Sequence, residues 1–265
     1  MKKICIVGGD SRLRTAKHIL ENQNFFVDSI GLYPEDKGNI ELSDVLLLPV
    51  PTTKDGKTVF APLTNRKILL SEIAEKCNNQ LILCCNYKFE NKHSVDYNTL
   101  DSYALLNAVP TAEGAIKIAI ENTPYTLWKS KVLVIGYGRV GKILADRLKN
   151  LGCFVTVSAR NPKDFAHLDA LGFNYINTES LNKNYLDYDI IFNTVDFEVL
   201  NDNTLKNCPC NLIIDLSSKG GFDLNFAKSL GINAIKPPGL PGIIAPETAG
   251  KILAKTVTEL IHFYN

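Results

Sequence analysis

The chain has 265 residues, 45% of them apolar, and a net charge of +1. This balance gives no reason to expect nucleic acid or an anionic membrane as a partner. No apolar run is long enough to span a bilayer, and the start MKKICIVGGD lacks the apolar stretch of a signal peptide, so we expect a cytoplasmic protein.

Short apolar runs alternate with segments of helical period along the whole chain. The first series is ICIVGG, FFVDSI, DVLLLPV and QLILCC, and the second, which starts afresh near Lys131, is KVLVIG, FVTVSA, DIIFNTV, NLIIDLS and NAIKP. Apolar strands separated by helices predict parallel sheets covered by helices on both faces. We therefore predict an α/β fold with two doubly wound parallel-sheet domains.

The seven cysteines form no CxxC pair, and most lie inside the apolar runs. Such thiols are typical of small buried side chains. Cys208 and Cys210 are the one close pair, for which metal or redox use is the alternative; we favour buried thiols and predict no metal site.

A glycine-rich turn, GGDSR, follows the first predicted strand. Asp10 or Ser11 can serve as the N-cap of the next helix. Arg12 then falls in the first helical turn, where the helix dipole disfavours a cation. We predict that Arg12 binds an anionic substrate, with a solvated helix residue as the alternative.

The segment NAVPTAEGAIKIAIENTP predicts a linker helix over residues 109–123. Pro110 suits a helix start, where its missing N–H costs nothing, and Pro124 ends the helix. We place an N-terminal substrate or catalytic domain at 1–108, a nucleotide-binding domain at 109–245, and a C-terminal helix at 246–265 that returns to the first domain.

The string KVLVIGYGRVGKILADRL contains G-x-G-x-x-G directly after a strand and at the start of a helix. This context predicts a Rossmann domain whose turn and helix N-terminus bind a dinucleotide pyrophosphate. The alternative is a close-packed turn without a ligand. The predicted cofactor contacts here are Gly136, Tyr137, Gly138, Arg139, Val140 and Gly141.

The next strand, FVTVSAR, places Ser158 where an NAD site usually carries an acid that binds the ribose. A serine can donate to a 2′-phosphate, and Arg160 can pair with it. The pattern favours NADP, with a solvated arginine as the alternative.

Two more loops leave the carboxyl ends of predicted strands, where open α/β sheets bind ligands. The first supplies the predicted cofactor contacts Asn193, Thr194 and Val195. The second, DLSSKGG, supplies Ser217, Ser218 and Lys219 for an anionic ligand, with a polar loop before a helix capped by Asp223 as the alternative.

The segment KPPGLPGIIAPETAG is rich in proline and glycine and precedes the last helix. It predicts a stiff strap that aims the helix N-terminus, with Thr248 in its first turn, at a ligand. A structural crossover without a ligand is the alternative. The apolar stripe that the helix must bury is Ala249, Ile252, Leu253, Val257, Leu260 and Ile261.

Taken in order, GGDSR, NAVPTAEGAIKIAI, GYGRVGKILADRLKNLG, SAR, DLSSKGGFD and PPGLPGIIAPETAGKILA resemble the family of the dipicolinate synthase A subunit over the whole chain. The resemblance implies NADP-dependent oxidation of a dihydrodipicolinate-level intermediate to dipicolinate, pyridine-2,6-dicarboxylate. It further implies the mother cell of a sporulating bacterium and, as partner, the flavoprotein-like B subunit of dipicolinate synthase. We allow for a homo-oligomer as well.

Within this interpretation Lys219 and Glu113 are the candidate catalytic residues, and Thr111 joins the predicted substrate contacts. A first-turn acid serving the helix dipole is the alternative for Glu113. Arg12 and Lys219 are each expected to hold one carboxylate of the diacid.

Two other functions remain open. A non-catalytic NADP-binding scaffold that serves the partner is one. A 2-hydroxyacid dehydrogenase is the other, although such an enzyme normally needs a histidine before its final helix. No histidine lies between residues 231 and 248, which weakens the second alternative.

Overall fold

The computed structural model describes residues 1–183 and 186–264, which form two compact units. The first unit comprises Met1–Asn107 and Pro241–Asn265, and the second comprises Ala108–Leu240. Residues 241–245, which the sequence places with the second domain, thus belong to the first unit. In the described residues no helix is long and apolar enough to cross a membrane.

The first unit is built on a five-stranded parallel sheet of order β2-β1-β3-β4-β5. Its β1, β3 and β4 are continuous apolar runs whose side chains are almost all buried, as a sheet covered on both faces requires. The elements in chain order are β1 (Lys3–Val7), α1 (Ser11–Asn22), β2 (Phe26–Ile30), β3 (Val45–Leu47), α2 (Leu70–Lys76), β4 (Leu81–Cys84) and β5 (Ser94–Asp96).

The second unit has a six-stranded parallel sheet of order β11-β10-β9-β6-β7-β8, the order of a Rossmann fold. The strand order reverses between β6 and β9, where such sheets bind ligands. The elements are β6 (Lys131–Ile135), α4 (Arg139–Asn150), β7 (Phe154–Ala159), α5 (Pro162–Ala170), β8 (Asn174–Asn177), β9 (Ile190–Asn193), α6 (Asp202–Lys206), β10 (Leu212–Asp215), α7 (Leu224–Ser229) and β11 (Asn233–Ile235), with α3 (Asp101–Glu121) preceding them. The predicted fold class is confirmed.

Helix α3 begins earlier than predicted and contains Pro110 in its interior. The prediction that this helix starts at residue 109 is wrong. Proline cannot donate to the carbonyl four residues before it, which normally disfavours this position. The helix persists because a stripe of small residues on it is buried: Ala108, Ala112, Ala115 and Ala119. Tertiary packing thus outweighs the local signal of the proline.

The chain ends with α8 (Leu240–Ile244) and α9 (Pro246–Phe263), both in the first unit except for Leu240. Helix α9 packs along α1, and Leu253, Val257 and Ile261 enter the same core as Leu13 and Leu20. Gly250 lets the two helices approach, since a Cβ there would lie 2.6 Å from the Arg12 carbonyl oxygen. The predicted return of the final helix to the first domain is confirmed.

Two short edge strands, β5 and β8, do not show in the sequence pattern. β8 has the sequence NYIN and is mostly exposed, and β5 is half-buried throughout. Short polar edge strands lack the apolar run that marks a central strand.

Candidate dinucleotide site

The turn between β6 and α4 is shaped by glycines. Gly136 has a φ of +98°, a conformation that favours glycine, and its N–H donates to the Ser158 carbonyl at 3.0 Å. A Cβ on Gly141 would lie 2.1 Å from the Gly136 carbonyl oxygen, so α4 packs directly against the turn. Around Gly138, by contrast, no described residue other than its two chain neighbours comes within 4 Å of the position of a Cβ.

This open space borders a cavity of about 350 Å³ at the carboxyl edge of the sheet. Its lining comes from the glycine-rich turn, the end of β7, the start of α5 and the loop after β9. The lining residues are Gly136, Tyr137, Gly138, Ala159, Arg160, Asn161, Asp164, Thr178, Val195 and Phe197.

The turn beside the cavity suits the phosphates of a dinucleotide. Helix α4 begins at Arg139, and its cap residue Gly138 has no side chain to occupy the helix N-terminus. Backbone N–H groups and the helix dipole favour an anion at such an end. Of the predicted cofactor contacts, Arg139, Val140 and Gly141 lie in the first turn of α4, next to the glycines that line the cavity.

Ser158 does not face this cavity. Its side chain is wholly buried, and its hydroxyl oxygen lies 3.1 Å from that of Thr178. This placement does not favour the predicted donation from Ser158 to the cofactor, since successive side chains of a strand point to opposite faces, and the donation stays a prediction. Ala159, one residue later, is the residue of β7 that lines the cavity.

Arg160 is exposed at the cavity and stacks on Phe197, with its guanidinium carbon 4.7 Å from the ring centroid. Such stacking fixes the plane of the guanidinium and leaves its N–H donors at the edge of that plane. The strand end that carries an acid in NAD enzymes therefore carries a small apolar residue followed by a stacked cation.

Tyr137 forms the base of the same region. Its hydroxyl lies 2.8 Å from Nδ1 of His167 on α5, and Lys142 lies 5.1 Å from its ring centroid. Burial raises the pKa of Tyr137, and the nearby Asp164 adds to this shift. The phenol therefore stays protonated at neutral pH and can donate a hydrogen bond.

Asn193 and Thr194 support the site rather than line it. Asn193 is wholly buried, and its Nδ2 donates to Asp215 Oδ1 at 2.8 Å and to the Val195 carbonyl at 3.0 Å. The Thr194 hydroxyl donates to the Ile135 carbonyl at 2.8 Å. Both side chains thus hold the end of β9, and of the three predicted residues only Val195 lines the cavity.

The loop after β10 is organised by the buried carboxylate of Asp215. Its Oδ1 accepts from the Ser217 hydroxyl at 2.6 Å and from the Ser217 N–H at 3.1 Å, and its Oδ2 accepts from Gly221 N–H at 3.3 Å. The Ser217 oxygen in turn accepts from Gly220 N–H at 3.0 Å. The hydroxyl of Ser217 is therefore engaged within the loop, which argues against its predicted substrate contact. Lys219 is exposed.

Glu113 lies far from the cavity. Its carboxylate pairs with Arg147 at 3.1 Å and is 56% exposed. Arg147 stands eight residues after the start of α4, about 12 Å along the helix from the glycine-rich turn. This placement does not favour a catalytic role for Glu113, which stays a prediction; its helix face was not evident from its place in the sequence.

Arg12 is neither solvated nor uncompensated. Its Nη2 lies 2.7 Å from Asp10 Oδ2 and its Nε lies 2.9 Å from Asp10 Oδ1, and only 5% of its side chain is exposed. Nη2 also donates to the Val50 carbonyl, and Gly242 closes over the pair, since a Cβ there would lie 2.8 Å from both Arg12 Nε and Asp10 Oδ2. The charge that was expected to attract a substrate is already neutralised.

Thr111 is half-buried on α3, and Thr248 is exposed in the first turn of α9. Their predicted contacts with substrate stay predictions.

Sequence reasoning missed Asp164 and Phe197, which line the cavity, and Asp196 between Val195 and Phe197. The signal that could have found the last two is their position directly after a buried strand, at the ligand-binding edge of the sheet.

Comparisons with known proteins agree with this architecture. The model of the N-terminal domain of the dipicolinate synthase A subunit matches residues 3–101, and that of the D-isomer specific 2-hydroxyacid dehydrogenase NAD-binding domain matches residues 111–208. The second match gives residues 111–208 the character of a nicotinamide dinucleotide-binding domain.

Whole-chain relatives extend the likeness. The dipicolinate synthase A subunit of Bacillus subtilis (strain 168) is 33% identical over 285 residues, covering 98% of this chain and 95% of the relative. The crystal structure of the dipicolinate synthase A subunit from Bacillus halodurans superposes with a TM-score of 0.88 at 31% identity, covering 98% of this chain and 97% of that one. The crystal structure of the corresponding chain from Bacillus subtilis gives the same score and identity, with 98% and 96% covered.

Proposed function

Because the chain belongs to the family of the dipicolinate synthase A subunit, we propose that it catalyses NADP-dependent oxidation of a dihydrodipicolinate-level intermediate to dipicolinate. The support for an oxidoreductase is the dehydrogenase-type dinucleotide domain over residues 111–208 together with this membership. Because the family is named for an A subunit, membership of it supports a second subunit as the partner of this chain. We propose that this partner is the flavoprotein-like B subunit, in the mother cell of a sporulating bacterium.

The observation that carries the choice of NADP is the end of β7. Ala159 leaves no carboxylate at the strand end to bind a ribose hydroxyl or repel a phosphate, and Arg160 is held in a stacked orientation at the cavity. A guanidinium pairs with a phosphate through two parallel N–H donors. Asp164, which also lines the cavity, is approached by Asn161 Nδ2 at 3.4 Å.

The reaction takes a hydride and a proton from the ring of the substrate, which becomes aromatic. Bound NADP supplies the hydride acceptor, and the work of the chain is placement. We propose that the exposed ammonium of Lys219 pairs with a carboxylate of the diacid. Desolvation of a carboxylate without such a partner would cost several kcal/mol. The hydroxyl of Ser218 on the same loop donates to Asp196 at 2.9 Å, which does not favour its predicted substrate contact.

The cofactor assignment is tested by Arg160→Ala. We expect NADP affinity to fall by about tenfold or more, the scale of a hydrogen bond to a charged group, and NAD affinity to change little. Lys163→Ala is the matched control, because it removes one exposed positive charge from α5 outside the cavity lining. Equal losses for NADP and NAD in Arg160→Ala, or equal losses in both variants, would contradict a contact between Arg160 and the 2′-phosphate.

The activity itself is tested with purified chain, NADP and the dihydrodipicolinate mixture, following reduced cofactor and dipicolinate together by absorbance. The same assay is then repeated in the presence of the B subunit. Turnover by the chain alone supports an enzyme. Turnover that needs the B subunit, with the nucleotide still bound by this chain, would support the scaffold function instead.

A further inference from the structure

Asp196 connects two loops at the carboxyl edge of the second sheet. Its Oδ1 accepts three hydrogen bonds from the loop after β10: from the Ser218 N–H at 2.6 Å, from the Ser218 hydroxyl at 2.9 Å and from the Lys219 N–H at 3.2 Å. Consecutive backbone N–H groups that converge on one carboxylate oxygen fix the peptide between them.

These contacts are tertiary rather than local. Asp55 and Asp223 also accept backbone N–H groups, but from residues two or three positions away in their own turns. Asp196 lies 22 positions before Ser218. It therefore does not shape its own turn, but holds a loop that a different strand delivers.

The loop is held from a second side as well. Lys236, which directly follows β11, donates from Nζ to the Ser218 carbonyl at 3.2 Å. Both polar groups of the Ser218 backbone are thus bonded to side chains, whereas the side chain of Lys219 projects into solvent. The direction of that side chain is set by the backbone that Asp196 and Lys236 hold.

The backbone that carries Asp196 is itself held by hydrogen bonds. Its neighbours Val195 and Phe197 line the dinucleotide cavity, and the preceding Thr194 is bonded to the Ile135 carbonyl through its N–H at 2.9 Å and its hydroxyl at 2.8 Å. Burial raises the pKa of Asp196, but the hydrogen bonds from Lys219 and Ser218 outweigh it and hold that pKa below its ordinary value. The carboxylate is therefore ionised at neutral pH.

We propose that Asp196 is a positioning residue: it fixes the Ser218–Lys219 backbone so that the ammonium of Lys219 meets the carboxylate of the substrate. This inference rests on the proposed function, because it takes the pairing of Lys219 with the diacid from there. It adds a residue that contacts neither substrate nor reacting atoms and acts through the loop.

The test compares Asp196→Ala, which removes the acceptor, with Asp196→Asn, which keeps a neutral oxygen acceptor at the same place. Asp223→Ala is the matched control, since it also deletes a carboxylate that accepts two backbone N–H groups, at the cap of α7. The full chain is used, with the B subunit present if activity requires it. Three quantities are measured: amide hydrogen exchange over residues 216–221, the dissociation constant for NADP, and turnover.

For Asp196→Ala we expect exchange of the Ser218 and Lys219 amides to speed up by about tenfold or more, because their acceptor is lost. Turnover should fall by about tenfold, because Lys219 is no longer positioned to pair with the carboxylate of the substrate. NADP affinity should stay within about threefold. Asp196→Asn should restore protection and most of the turnover. Asp223→Ala should leave hydrogen exchange over residues 216–221, NADP affinity and turnover unchanged.

Unchanged exchange in Asp196→Ala, or faster exchange with wild-type turnover, would overturn the inference alone. An equal shift of NADP affinity in both Asp196 variants without loss of turnover would also overturn it. Such a result would show that only the negative charge of Asp196 matters, through its effect on an anionic cofactor. A wild-type chain that binds NADP but oxidises no dihydrodipicolinate, with or without the B subunit, would overturn the proposed function and this inference with it.

Discussion

Two glycine-rich turns of this chain follow the first strand of a parallel sheet and open a helix, yet they differ in what fills the space beside them. Beside the turn before α1, Val59 covers Gly8, and the Arg12 side chain is paired with Asp10. Beside the turn before α4, Gly138 faces open space next to the cavity of about 350 Å³. The same local signal therefore marks a packed turn in one unit and a ligand site in the other.

The difference lies in side chains that come from elsewhere in each unit. In the first unit, the segment around Val59 and Phe60 folds over the turn, and Gly9 donates its N–H to the Phe60 carbonyl at 2.8 Å. In the second unit, the loop after β9 stands beside the turn and forms a wall of the cavity with Val195 and Phe197. A glycine-rich turn binds a ligand only where such distant segments leave it room.

The largest effect on stability should come from removing the Arg12 side chain, which packs beside the turn before α1. Arg12→Ala leaves the carboxylate of Asp10 without its cation in a place where Asp10 is only 19% exposed, so the free energy of unfolding should fall by about 3 kcal/mol. The measurement is urea denaturation, with NADP titrated separately and expected to bind as in the wild type. Arg14→Ala on the same helix is the control, because Arg14 donates to the Leu32 carbonyl and not to a carboxylate. A stable Arg12→Ala protein with a raised KM would instead restore Arg12 as a substrate contact.

The next effect concerns the packed side of the open turn. Gly141→Ala places a methyl group 2.1 Å from the Gly136 carbonyl oxygen, so we expect a loss of about 1–3 kcal/mol of stability together with loss of nucleotide binding. Gly138→Ala meets no atom within 4 Å and should fold normally while still weakening nucleotide affinity. Thermal unfolding without ligand and nucleotide titration separate the two variants. Normal nucleotide binding by Gly138→Ala would show that the phosphates do not approach this glycine.

A smaller effect tests the wall of the cavity. Ser158→Ala removes the hydrogen bond to Thr178 from a fully buried site and should cost about 1 kcal/mol of stability. NADP affinity should not change, because Ala159 and Arg160 rather than Ser158 border the cavity. Selective loss of NADP over NAD in a titration of this variant would restore the original role of Ser158.

The smallest effect is expected at the other end of α4. Glu113→Gln breaks an exposed ion pair with Arg147, which should change stability by less than about 1 kcal/mol. Turnover should stay at the wild-type level. A large fall in turnover with intact folding, measured by steady-state kinetics and thermal unfolding, would return Glu113 to the catalytic candidates.

These differences show what the sequence could predict. The Rossmann motif was predictable because its glycines, strand and helix are contiguous. The apolar stripe of the final helix showed that it needed a core to bury it, and the resemblance to two-domain dehydrogenases indicated which one. The predicted roles of Ser158 and Glu113, which the structure does not favour, each depend on which way a side chain points. One residue along a strand reverses the face, and the sequence position of a helical residue does not tell which end of a neighbouring helix it contacts.

Two further residues have surroundings in the structure that their local sequence did not show. Pro110 lies inside a helix and Arg12 lies in a first helical turn, and both positions are locally unfavourable. From the sequence alone, Pro110 indicates a helix start and Arg12 indicates the binding of an anionic substrate. In the structure, buried alanines lie beside Pro110, and Arg12 pairs with Asp10 in its own turn and donates to the distant Val50 carbonyl. A departure from local preference thus marks a tertiary contact, and that contact can be internal to the protein.

The end of β9 carries a consequence for how this sequence can diverge. A Cβ on Gly221 would lie 2.1 Å from Asn193 Nδ2, and the same nitrogen donates to the buried Asp215 at 2.8 Å. A descendant that gains a side chain at 221 must first lose the amide at 193. The buried carboxylate at 215 then keeps its donors from the loop after β10, which are the Ser217 hydroxyl and N–H and the Gly221 N–H, and its ion pair with Lys236. We therefore expect positions 193 and 221 to change together, whereas the carboxylate at 215 can persist when they do.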